Sequence, residues 1–110
     1  MPSPSSALPQ GTLDLLILQT LAHGPRHGYG VARWIEETTD DVLSIEEGSL
    51  YPALYRMERR GWISARWRQS DLGKSIKVYA LTDRGRAELR ARTAGWAQLT
   101  TAVGKVLRGR

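Results

Sequence analysis

The sequence predicts a mainly α-helical chain carrying one small β-hairpin, on three observations. Apolar residues recur at helical spacing in three stretches before residue 60. Segments 62–69 and 75–81 alternate with the period of strands around a turn-forming Ser-Asp-Leu-Gly-Lys. From Thr82 onward the apolar residues return at intervals of seven, then three and four, as in a coiled-coil seam. With 110 residues, of which 41% are apolar and 25% charged, the chain supports one core and not two.

Residues 1–9 are rich in Pro and Ser and carry no pattern, so 1–10 is expected to be a flexible arm ahead of a domain spanning 11–81. The first helix is expected over 11–23, with Thr12 as its N-cap and Gly24-Pro25 as its stop. Leu13, Leu16, Ile17, Thr20 and Leu21 form one stripe; Leu15 and Leu18 lie off it, which implies cover on two sides. A second helix opens near Gly28-Tyr29-Gly30 and runs to about Thr38. Gly48-Ser49 begins the third, with Pro52 in its first turn, where a missing N–H is harmless. Leu50, Ala53, Leu54 and Met57 are its inward stripe, and Gly61 ends it. Pro52, Tyr55, Arg56 and Arg59 fall on the opposite face, with Tyr51 on the flank.

In the hairpin, Ile63, Ala65 and Trp67 share one face while Arg66 and Arg68 share the other. Trp34, Trp62 and Trp67 are expected to serve core or hairpin packing. Thr82-Asp83 caps a final helix of about 26 residues, ~39 Å long, within a segment 82–110. That exceeds the ~26 Å diameter of a domain of this size. Leu89, Trp96, Leu99, Val103 and Val106 line its seam. A stripe projecting beyond its own domain calls for a partner, and a second copy across a two-fold axis is the simplest one; Leu13, Leu16 and Ile17 are expected to join that interface.

The sixteen Lys+Arg against eleven Asp+Glu give a formal charge of +5. The distribution is uneven. Arg56 to Arg92 holds eleven basic and four acidic residues, whereas Glu36 to Glu47 holds six acidic residues and no basic one. Such a field steers a polyanion to one side. The chain has no cysteine, which removes disulfides and thiolate chemistry. No apolar run approaches the ~20 residues of a membrane span, and the first residues lack a signal-peptide pattern. A soluble, cytoplasmic protein is therefore expected. His23 and His27 are four apart, but Gly24-Pro25 interrupts them and no third ligand is apparent, so no metal or cofactor is expected. No nucleophile–base arrangement suggests an enzyme.

Three helices, the third with a basic outer face, followed at once by a basic two-stranded flap, make a winged helix-turn-helix: one helix for the major groove and a wing for the flanking backbone. Arg suits guanine edges, and Tyr and Ser hydroxyls suit phosphates. The expected contacts on double-stranded DNA include Tyr55 and Arg56, with Arg59 joining them, closing the helix end or pairing with Glu58. Arg56→Ala is expected to lower affinity without unfolding the domain. Arg66 and Arg68 either reach the backbone or guard a strand edge.

Leu13-Asp-Leu-Leu-Ile-Leu, His27-Gly-Tyr-Gly, Gly48-Ser-Leu-Tyr-Pro-Ala-Leu and Tyr79-Ala-Leu-Thr-Asp-Arg-Gly together resemble PadR-type transcriptional regulators, across about residues 11 to 92. The resemblance implies a DNA-binding homodimer, usually a repressor released by a small molecule, acting on a pseudo-palindromic operator. It implies groove contacts at Ser49, Tyr51 and Pro52, a backbone contact at Tyr29, and wing contacts at Lys74 and Lys77. Many members have two consecutive tyrosines late in the wing; here Val78 precedes Tyr79. The single C-terminal helix resembles the short subfamily, in which aromatics such as Trp96 can stack on a planar aromatic effector between subunits. Trp96 equally fits packing across the seam. A winged-helix protein-docking module and a nonspecific DNA binder are the alternatives; salt-sensitive, operator-specific binding separates them.

Overall fold

The computed structural model describes Leu8 and residues 10–109. Apart from Leu8 and Gln10, the expected N-terminal arm lies outside the described residues, as does Arg110. The elements are α1 (Gln10–Ala22), β1 (Arg26–His27), α2 (Gly28–Thr38), α3 (Glu47–Arg59), β2 (Ile63–Gln69), β3 (Ser75–Leu81) and α4 (Asp83–Leu107).

The core is built where the stripes predict. Leu13, Ile17, Leu18 and Leu21 of α1 meet Val31, Ala32 and Ile35 of α2, and Leu50, Ala53, Leu54 and Met57 of α3. Ile63 and Tyr79 bring the sheet onto this cluster. Burial of Leu18 as well as Ile17 shows α1 covered on two sides. Ile17 is fully buried and Leu13 nearly so, which corrects their assignment to an interface between subunits: the chain's own core already occupies both. Leu16 and Leu89 are half-buried against that core.

The sheet has three strands rather than two, in the order β1-β3-β2, all antiparallel. Arg26 pairs with Tyr79 and His27 with Val78. A two-residue strand has no periodicity to read, so only its position beside β3 reveals it. Three expected local features also move. Helix α1 begins at Gln10, leaving Thr12 inside it and not at its cap. Helix α3 begins at Glu47 after Glu46, so Pro52 sits in its second turn, where it brings no amide to the carbonyl of Gly48. Both residues are exposed there, on a face that water can reach.

Between α2 and α3, Asp40 and Asp41 adopt φ of 50° and 62°, a left-handed conformation that Asp tolerates better than most residues. Glu36 holds this loop, its carboxylate accepting the amide of Ile45 at 3.0 Å. The Thr82 hydroxyl caps α4, accepting from Gly85 N at 3.0 Å and donating to the carbonyls of Gly61 and Trp62. The helix then leaves the body of the molecule, whose extents are 57 × 34 × 20 Å. Of its side chains, Trp96, Leu99, Val103 and Val106 are 46 to 77% exposed. No helix among the described residues is long and apolar enough to cross a membrane.

Candidate nucleic-acid interface

Helix α3 turns Leu50, Leu54 and Met57 inward, which by helical geometry sends Tyr51, Pro52, Tyr55 and Arg59 out. Tyr55 is 62% exposed and Tyr51 44%; Ser49, Pro52 and Arg59 are exposed as well. The Arg59 guanidinium lies 5.8 Å from the Tyr55 ring centroid, so a cation and a phenol share one ridge. Arg60, also exposed, leans back over Trp62.

Arg56 departs from the outward position expected of it. Its side chain is 25% exposed and is ion-paired with Asp14 of α1, a carboxylate left only 4% exposed. The other Asp14 oxygen lies 4.0 Å from Arg92 of α4, which also pairs with Glu88 at 2.7 Å and stacks over Trp62. Helical spacing puts Arg56 near the edge of the outer face, and the acidic neighbour on α1 draws it inward. Asp14 looks like an ordinary polar residue on a helix, so the sequence holds no local sign of this pair.

The start of α2 is held against α3 by a close approach. A Cβ on Gly28 would stand 2.7 Å from the Tyr51 ring, so only glycine lets that ring lie on the backbone there. His27 Nδ1 caps α2 by accepting from Gly30 N at 3.0 Å, and Tyr29 is left 61% exposed beside it. His23 contacts Gln19 and the Trp34 ring, and the described residues contain no cluster of three metal-ligating side chains.

The wing is tied to the same helix. Lys77 of β3 is half-buried, with Nζ 3.2 Å from a Glu58 carboxylate oxygen and 5.5 Å from the Tyr79 ring centroid. The hydrogen bond it donates to Glu58 raises its pKa above 10.5 despite some desolvation. Lys77 therefore brackets wing and helix together, whereas Lys74 is exposed at the wing's turn. That turn closes through Ser70 N to Lys74 O at 2.7 Å, with Gly73 at φ 80°, a value that glycine adopts without strain. Arg66 and Arg68 stand exposed on the other sheet face, bordering a groove with Pro25 and Val78.

Trp34 and Trp62 pack against the core, but Trp67 does not: it is 68% exposed. Alternation assigns it correctly to the face of Ile63 and Ala65; it lies too far along β2 for the helices to cover. With Tyr29, Tyr51 and Lys77 it borders a cavity of about 400 Å³ between wing, α2 and α3.

A sequence model of the PadR-like family of transcriptional regulators matches residues 17–91. The negative transcriptional regulator PadR of Bacillus subtilis is 30% identical over 77 residues, covering 70% of this chain and 42% of that protein. A transcriptional regulator from Clostridium thermocellum superposes with a TM-score of 0.81 at 26% identity, over 87% of this chain and 93% of its own. A PadR family regulator from Eggerthella lenta is 34% identical with a TM-score of 0.77, over 92% and 86%.

Proposed function

This chain is a member of the PadR-like family of transcriptional regulators, a family without enzymatic activity, and on that premise we propose that it is a homodimeric, cytoplasmic repressor. It binds a pseudo-palindromic operator at the nucleoid and is released by a small planar aromatic molecule. The observation that carries DNA recognition is the exposed ridge of Ser49, Tyr51, Pro52, Tyr55 and Arg59 on α3. Its hydroxyls and guanidinium are suited to phosphates and base edges. Tyr29, Lys74 and Lys77 contact the backbone on either side. Arg56 acts from its ion pair with Asp14, fixing the angle at which α3 is presented.

The apolar stripe of α4 supports pairing of two chains, because Trp96, Leu99, Val103 and Val106 are left in water by a single one. Leu16 and Leu89 lie half-covered at its inner end. Pairing sets two α3 helices about 34 Å apart, one turn of B-DNA. An effector held at Trp96 changes the angle between subunits and so the match to the half-sites.

The test is a binding titration with the intergenic duplex upstream of the protein's own gene. Retardation that falls steeply with salt and is relieved by planar aromatic compounds is expected. Salt-insensitive binding, or none, contradicts DNA recognition; binding indifferent to such compounds contradicts the effector.

A further inference from the structure

Trp67 is the most exposed of the four tryptophans, at 68%. On β2 it lies opposite Lys77 in the ladder, two positions beyond Ala65, which packs on the core. Its indole walls a groove of about 400 Å³ together with the rings of Tyr29, Tyr51, Tyr79 and His27, with Lys77 and Ser70 at the polar edge. A large flat apolar surface left in water beside cations is better accounted for by an occupant than by the fold.

We propose that this groove receives the deoxyribose-phosphate backbone of duplex DNA, with the Trp67 indole packed on a sugar and the phosphate facing Lys77 and the Tyr51 hydroxyl. The inference rests on the DNA-binding reading above and deepens it. Two arguments favour this occupant. The groove is continuous with the α3 ridge, since Tyr51 belongs to both. Its polar edge carries Lys77, whose charge is shared with Glu58, and the exposed Lys74 in the adjoining turn adds a cation that complements a polyanion. A sugar rather than a base meets the indole, because bases in a duplex are stacked and show only their edges, whereas deoxyribose presents C–H groups along the backbone.

The signature is an affinity loss without an electrostatic one. Using the full chain and the operator duplex, Trp67→Ala is expected to weaken binding about tenfold, as truncation of a buried interfacial tryptophan does. The slope of log affinity against log salt is expected to stay that of the unmodified protein, because no cation is removed. Lys74→Ala, by comparison, is expected to reduce that slope by about 0.9. Trp67→Phe, keeping a flat ring, is expected to retain most of the affinity, and Trp67→Gln to repeat the alanine result, which guards against a folding defect in one variant. If the unmodified protein shows no salt-dependent operator binding, the functional reading itself fails. If it binds normally and the Ala and Gln variants match it, only the groove assignment falls. Unchanged duplex affinity in those variants with lost binding of 1-naphthoate would assign the groove to a small ligand and overturn the proposal, as would a reduced salt slope.

Discussion

The carboxylate of Asp14 on α1 is ion-paired with Arg56 of α3, in a site that leaves the Asp14 side chain 4% exposed. This joins the first helix to the helix that carries the exposed ridge. Its second oxygen faces Arg92 of α4, so one buried charge touches three helices.

Removing either partner strands the other. Arg56→Ala is expected to destabilise the fold by about 2–4 kcal/mol, since a buried carboxylate is left with only the distant Arg92. Asp14→Asn is expected to lose somewhat less, because Arg56 can reach water. Urea unfolding checks both. An Arg56→Ala variant as stable as the unmodified protein would show that the pair has no structural role.

The join between wing and long helix depends on Gly85. A Cβ there would stand 2.0 Å from the Trp62 carbonyl oxygen and 2.6 Å from a Leu81 methyl carbon. The backbone has to part to admit it. Gly85→Ala is therefore expected to lower Tm markedly, by more than the ~1 kcal/mol that alanine returns through helix propensity. A raised Tm in a thermal melt would contradict that packing.

Alkaline pH is expected to loosen the wing. Burial raises the Tyr79 pKa above 10.0, and the Glu58 hydrogen bond raises that of Lys77 above 10.5. Raised values mean that the folded state binds these protons more tightly than the unfolded chain. Their stabilisation is complete below pH ~10 and is lost as pH climbs through the folded values. The Lys77 share is small, since that group is a third exposed. Stability followed from pH 9 to 11.5 is expected to fall, and Tyr79→Phe to flatten the fall. An equally steep decline in that variant would assign the effect elsewhere.

Trp96 is half-exposed on α4, and the proposed dimer covers it. Trp96→Glu is expected to give monomers or aggregates by light scattering, with the core of 10–81 unaffected by circular dichroism. An intact dimer would put the seam on another face.

The helices and both hairpin strands were legible because their apolar periods, 3.6 and 2, are local properties of the chain. So was the α3 ridge, which is the complement of Leu50, Leu54 and Met57. What escaped the sequence depends on tertiary neighbours. The Asp14–Arg56 pair joins residues 42 positions apart. Strand β1 exists only because β3 offers it an edge. Leu13 and Ile17 carry the same stripe whether a second subunit or the chain's own core covers them. Trp67 follows the alternation of β2 but outruns the helices that bury Ile63.

The claim that α3 reads DNA through its exposed ridge is tested most directly by titrating the unmodified protein, Tyr55→Ala and Arg59→Ala against the intergenic duplex and a scrambled duplex across a salt series. The account predicts preference for the intergenic sequence, a steep fall with salt, and a loss of about 1–3 kcal/mol in each variant with folding unchanged. Variants that bind as tightly as the unmodified protein, or equal affinity for both duplexes, would contradict it.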